Sequence, residues 1–244
     1  MTRQLRLGLF GVSGVGLSAL LLWAVAGLHA FGDYHERYGT LLKNVAVSER
    51  HTTNVVTSVV FDYRGFDTLG EEFILFASVV GVALLTRDAR DERARPRDRL
   101  VSDPVGLIGL GLSGALLVIG LYVVAHGPLT PGGGFQGGVV LAGAIAVVYL
   151  AGDYRSYRAL TPQPAVDFAE GFGAGGFAVV GIASMLLGSA YLHNFGPFGT
   201  PGTLASGGSI PMLNLATAIE VTAAFLLLFT EFLEELSVTR LETA

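Results

Sequence analysis

One carboxylate, Glu220, interrupts an otherwise apolar run in the stretch Asn214-Leu-Ala-Thr-Ala-Ile-Glu220-Val-Thr222. A charged group at that depth of a membrane-spanning segment is a functional feature by default. Such a group can carry a proton and surrender it when water or a cation arrives. Asn214, Thr217 and Glu220 recur at three-residue spacing, and Glu231 follows eleven residues on. Together they form a polar stripe on roughly one helix face. The stripe suits a proton relay, or a carboxylate buried against or bridged to a neighbouring subunit.

A second cluster runs Asn54-Val-Val-Thr-Ser-Val-Val-Phe-Asp62-Tyr-Arg64-Gly-Phe-Asp67-Thr-Leu-Gly-Glu71-Glu72. Arg64 between Asp62 and Asp67 reads as a structural ion pair. Glu71 and Glu72 read as acids in a first helical turn, favoured there by the helix dipole. The same residues also read as a carboxylate vestibule that gathers cations at the membrane surface.

The third feature is His126-Gly-Pro-Leu-Thr130-Pro131-Gly132-Gly133-Gly134-Phe135-Gln136-Gly-Gly138, which lies between two apolar segments and carries no acid, Lys or Arg. Two prolines and three consecutive glycines cannot form ordinary helix interior. A backbone break at membrane depth is tolerated only where protein or a water-filled cavity satisfies its polar groups. Three readings remain open: a filter-like loop presenting carbonyls to an ion, a helix start whose amides face a polar cavity, or a structural break admitting a second helix. Thr130 is placed to cap the following helix, and Gln136 adds a side-chain donor and acceptor. His126 ends the preceding span, as a proton carrier or as a capping, interfacial residue.

The remaining residues exclude more than they suggest. The histidines at 29, 35, 51, 126 and 193 lack metal-ligand spacing, and no nucleophile elbow, Walker loop or zinc-protease motif appears. The absence of cysteine excludes disulfides and thiolate-held metals. A net charge of −5 does not fit a nucleic-acid binder. No cofactor is implied, and the expected class is a transport protein rather than an enzyme.

The elements that hold these residues are membrane helices. Charged residues make up 14% of the chain, against about 25% in soluble domains. Apolar segments of spanning length cover Leu7–Phe31, Glu71–Thr86, Pro104–Ala125, Gly138–Ala151, Gly171–Leu192 and Met212–Leu233. The first, preceded by Arg3 and Arg6, is longer than a signal-peptide core and reads as an uncleaved anchor. The second and fourth are short against the roughly 20 residues a span needs, so both are expected to begin earlier, the fourth within the Gly-rich break. With alternating loops, eleven Lys and Arg residues fall on one side and four on the other. This places both termini in the cytoplasm. Gly106, Gly109, Gly111 and Gly114, and Gly171 and Gly175, are expected to allow close helix approach. The fold class is therefore all-α, a polytopic transmembrane bundle of about six spans. It divides into residues 1–86, an Arg-rich cytoplasmic linker at 87–103, and residues 104–244.

Two ordered motifs then carry a resemblance. The segment from His126 through Gln136 to Val140, with Gly199-Thr-Pro-Gly-Thr-Leu-Ala-Ser-Gly-Gly-Ser-Ile-Pro and Leu213-Asn-Leu-Ala-Thr-Ala-Ile-Glu-Val, resembles the MnhB-type component of the Mrp-type multisubunit cation/proton antiporters. Asn54-Val-Val and Phe61-Asp-Tyr-Arg-Gly-Phe-Asp-Thr-Leu-Gly-Glu71 resemble the C-terminal part of the large A-type component of that family, a unit that also occurs as a small subunit of membrane-bound hydrogenases. The resemblance implies a fusion of the two modules and a part in exchanging Na⁺, or another monovalent cation, for H⁺ in a prokaryotic plasma membrane. It implies large complex-I-like subunits and membrane lipid as partners. It carries Thr130, Pro131, Gly132, Gly133, Gly134, Phe135, Gln136, Glu220, Asp62, Arg64, Asp67 and Glu71 into that path or its scaffold. Two rivals share these modules: a membrane-arm subunit of a hydrogenase-type respiratory complex, and a passive scaffold.

Overall fold

The computed structural model describes residues 3–28, 37–86 and 102–242, the side chains of 3, 6 and 235–242 excepted. The Arg-rich linker over 87–101, His29 and His35 lie outside the described residues. All regular structure among the described residues is helical. Six helices are long and apolar enough to cross a membrane.

The chain forms two compact units, Met1–Leu41 and Leu42–Ala244. The first contains α1 (Arg3–Ala26), whose span Leu7–Ala26 is exposed throughout. That helix is apolar on every face, as expected where lipid or partner helices supply the packing. Helix α2 (Arg37–Arg50) crosses the boundary between the units.

The second unit is built around α9 (Ile210–Glu242), the helix with the most buried span. Against it pack α4 (Gly65–Thr86), α6 (Gly134–Ala151) and α8 (Gln163–Leu186), while α5 (Asp103–Ala125) packs mainly on α6. The short helices α3 (Val55–Ser58) and α7 (Tyr154–Leu160) complete the bundle. Because α4 lies within this unit, residues 42–86 share a core with the later spans rather than forming a separate body. At one end Val79 packs with Tyr157, Val166, Ala224 and Leu227. At the other Phe61 packs with Phe177, Leu192, Ile210 and Leu213.

Several boundaries differ from expectation. Helix α4 begins at Gly65, directly after a π-helical turn at Val59–Tyr63 that ends on Arg64. Glu71 and Glu72 therefore lie almost two turns inside the helix and do not cap it. Helix α8 starts at Gln163 and stops at Leu186, eight residues earlier at its start than the apolar run suggests. Pro162 and Pro164 suit the first turn, where a missing amide hydrogen leaves no bond unmade. Helix α6 starts inside the Gly-rich break, at Gly134.

Small residues set the helix spacing, but only some of those expected. Gly106 and Gly109 lie against Ala151, whereas at Gly111, Gly114, Gly171 and Gly175 no atom of another described element comes within 4 Å of where a Cβ would stand. Close approaches to α9 use Gly134 and Gly138 on α6, against Thr217 and Val221, and Gly173 on α8, against Glu220, while Gly137 on α6 lies tightly against Val124 on α5.

Candidate functional site

The Gly-rich break is closed by polar side chains from two other parts of the chain. Helix α5 ends at Ala125 and is followed by His126 at its C-cap, whose Nδ1 lies 3.1 Å from the Tyr122 carbonyl and whose ring stacks on Tyr122. From the segment before α3, Asn54 Nδ2 donates to the carbonyls of Gly127 at 2.7 Å and Thr130 at 2.8 Å. Thr57 Oγ1 donates to the same Gly127 carbonyl at 2.7 Å, and Thr53 Oγ1 to Leu129 at 2.7 Å. The Asn54 amide reaches Pro128 O at 3.1 Å. On the other side, Asn214 of α9 accepts from the Gly134 amide at 2.7 Å and donates to Val124 O at 2.7 Å.

These bonds bear on the three readings of the break. Its carbonyls at 127–130 already accept from protein donors, and the first amide of α6 is taken by Asn214. These groups are satisfied internally, as a break at membrane depth requires, which supports the reading as a structural break. Gly133 precedes α6 with φ of 142°, a conformation that side chains avoid. Thr130 does not cap α6: Gly133 occupies that position, and the Thr130 hydroxyl faces His126 O at 3.5 Å. Gln136 and Pro131 are exposed, while Phe135 and Gly132 are half-buried.

The stripe on α9 points inward along its length. Asn214, Thr217, Glu220 and Glu231 are all buried, Glu220 completely. Glu72 of α4, also completely buried, interacts with Glu220 and Thr217. No oxygen of either carboxyl makes a well-formed hydrogen bond, and Thr217 Oγ1 makes none. Two unit charges about 4 Å apart repel by roughly 4 kcal/mol at an effective dielectric of 20. An ionised pair here therefore calls for a proton or cation between its members. Glu170 of α8, 5% exposed, also acts on Glu220. Farther along α9, Glu231 accepts from Thr86 Oγ1 at 2.6 Å, and Glu234 from Tyr154 OH at 2.7 Å.

The acidic segment before α4 divides into two parts. Asp62, on the π-helical turn, pairs with Arg50, with Asn194 and His193 nearby. Burial raises its carboxyl above the usual range, opposed by the Arg50 charge. The adjacent Tyr63 donates to Glu49 Oε2 at 2.7 Å, under the Arg50 guanidinium. Burial and that bond push its hydroxyl to about 12. Arg64 pairs with Asp67, both exposed, and Glu71 is exposed as well. The structure thus brings Glu220 together with Glu72 and Glu170, and leaves Asp67 and Glu71 facing outward. No group of three His, Cys, Asp or Glu side chains among the described residues could hold a metal ion.

Comparison with known proteins gives this arrangement a family. Residues 112–227 match a domain related to the MnhB subunit of Na⁺/H⁺ antiporter. An uncharacterized protein of Methanocaldococcus jannaschii is 32% identical over 204 residues, covering 71% of this chain and 76% of the relative. The chain belongs to the MnhB-related family. The B component of the Na⁺/H⁺ antiporter of Bacillus subtilis is 36% identical over 89 residues, 35% of this chain and 60% of that protein. A chain of the membrane-bound sulfane sulfur reductase, an archaeal respiratory membrane complex, superposes with a TM-score of 0.73 at 27% identity, over 94% of this chain and 98% of that one. A chain of the Mrp complex from Dietzia sp. shares the fold, with a TM-score of 0.65 at 23% identity, over 95% of this chain and 26% of that longer one. With six spanning helices, this member of the family is a multi-pass membrane protein.

Sequence pattern alone does not single out Glu72 or Glu170. Glu72 pairs with Glu71 as an apparent helix start. Glu170 stands just outside the expected span, which begins at Gly171. The Pro162 and Pro164 start signal, applied strictly, moves Glu170 about two turns inside α8.

Proposed function

We propose that the chain is a membrane subunit of a multisubunit antiporter that exchanges Na⁺, or another monovalent cation, for H⁺. The observation that carries this reading is the completely buried Glu220–Glu72 pair, whose four oxygens make no well-formed hydrogen bond, in a chain of the MnhB-related family. A proton and a monovalent cation compete to offset the same buried charge, which is the chemistry exchange requires. Glu220 is the exchanging carboxylate and Glu72 its counterpart. Asp67 and Glu71, exposed on the first two turns of α4, attract cations toward it. Asp62 with Arg50, and Arg64 with Asp67, hold the entrance in shape. Thr130, Pro131, Gly132, Gly133, Gly134 and Phe135 set the α5–α6 turn that holds α9. His126 and Gln136 flank that turn and remain candidates for the path.

The subunit functions in a prokaryotic plasma membrane with both termini cytoplasmic, among large complex-I-like subunits and lipid. The two-module reading, residues 1–86 joined through 87–103 to 104–244, belongs to the same proposal. The archaeal respiratory neighbour favours one alternative, a place in the membrane arm of a redox-driven complex.

Gentle affinity purification from the native membrane, followed by exchange assays in vesicles, tests the proposal. Antiporter subunits are expected to copurify without redox proteins. Glu220→Gln is expected to lower exchange at least tenfold with the subunit set intact. Recovery with nickel–iron or iron–sulfur subunits would move the chain to the respiratory class. Normal exchange by Glu220→Gln would leave it a scaffold.

A further inference from the structure

Glu170 is buried in the membrane-spanning part of α8, with 5% of its surface exposed and its Oε1 lacking any hydrogen-bond partner. The charged groups acting on it and on Glu220 come from three helices: Asp167 on α8 itself, Glu220 on α9 and, through Glu220, Glu72 on α4. All are acidic. Gly173, one turn beyond Glu170 and on the same helix face, brings α8 very close to α9. A Cβ placed at Gly173 would lie 2.5 Å from both Glu220 Cβ and Glu220 N.

Depth gives these carboxyls an order. At 1.5 Å rise per residue, Glu72 lies about 10 Å into α4 from the end near the break. Glu220 lies about 15 Å into α9 from that end. Glu170 lies about 24 Å from the corresponding end of α8, Leu186. Glu220 is thus the middle member of three, with Glu72 against it and Glu170 about one helical turn beyond the Gly173 contact, close enough for its charge to act on Glu220.

We propose that Glu170 is the proton acceptor of Glu220 on the side of the membrane facing α7. The proposal rests on the reading of Glu220 as the exchanging group. The O–H bond of the Glu220 carboxylic acid breaks as an O–H bond forms on the Glu170 carboxylate. Glu220, now ionised beside Glu72, takes the monovalent cation. Glu170 releases its proton to water on the α7 side, and a second proton reaching Glu220 from the opposite side displaces the cation. The total charge of the two carboxyls is unchanged by the transfer, so the step needs no co-reactant.

The test uses the assembled complex in vesicles loaded with a pH-sensitive dye, driven by a Na⁺ gradient. Glu170→Gln is expected to assemble normally and lose at least tenfold in exchange rate, with its apparent KM for Na⁺ within twofold of the parent. Glu170→Asp and Glu170→Asn are equal in size and differ in whether they titrate. Asp is expected to retain exchange with a shifted pH profile, and Asn to lose it. Equal rates from Asp and Asn would overturn the proposal, including the case where Glu170→Gln fails to assemble. Wild-type exchange by Glu170→Gln while Glu220→Gln is inactive would also overturn it, leaving the function of Glu220 intact. Wild-type exchange by Glu220→Gln and Glu72→Gln would instead overturn the functional reading beneath it.

Discussion

Replacing Asn214 with Ala tests the claim that one side chain ties the break to the central helix. The substitution removes two buried bonds of 2.7 Å, to the Gly134 amide and to the Val124 carbonyl. The two losses are unequal. The Gly134 amide belongs to the first turn of α6 and has no partner within its own helix, so it becomes a buried orphan at about 1–3 kcal/mol. Val124 O still accepts from the Gly127 amide at 3.2 Å, so its loss is nearer 0.5–1.5 kcal/mol. The total is roughly 2–4 kcal/mol, which lowers the melting temperature of a chain this size by about 5–15 °C. Heating the detergent-solubilised complex and following this chain's loss from the soluble fraction measures the shift. Asn214→Asp keeps an acceptor for Gly134 but sets an oxygen against Val124 O, and is expected to be at least as damaging. A melting temperature for Asn214→Ala within 1 °C of wild type would refute the assignment of this side chain as the tie.

Other perturbations follow from the same bonds and approaches. Asn54→Ala leaves Thr57 on Gly127 O but strips Thr130 O, with an expected cost of about 1–2 kcal/mol; in a double-mutant cycle with Asn214→Ala it should show at least 0.5 kcal/mol of coupling, since both clamp one turn. Gly173→Ala pushes α8 away from α9 at Glu220 and is expected to destabilise by about 1–3 kcal/mol while lowering exchange in vesicles; full activity would mean the helices separate there without consequence. Thr86→Val removes the bond to Glu231 and should cost about 1.5–3 kcal/mol by the same thermal assay.

The membrane architecture was legible because lipid demands long apolar runs, and six were visible. The break was legible from its prolines and glycines, which no spanning helix accommodates in such density. Glu220 was legible because it stands alone in its run. What closes the break was not legible: Asn54 and Asn214 are 73 and 80 residues from the groups they bind, and no local pattern announces such a pairing. Glu72 and Glu170 were obscured by helix boundaries, since hydropathy places the start of a span at its first long apolar stretch. A π-helical turn and a proline start place the real boundaries earlier, and this turns two apparent boundary acids into interior ones. The glycines that permit close approach were only partly recovered, because spacing alone does not say which helix face has a neighbour.

The bonds from Thr53, Asn54 and Thr57 to the 127–130 turn have a consequence for synthesis. A ribosome delivers Asn54 before Gly127, so the donors of the clamp exist before the carbonyls they bind, and a single chain tethers the two. If the chain were instead encoded as two polypeptides divided between α4 and α5, the same bonds would join separate molecules. The break could then mature only after the two had met, and an unpaired later half would present its unsatisfied carbonyls to membrane quality control.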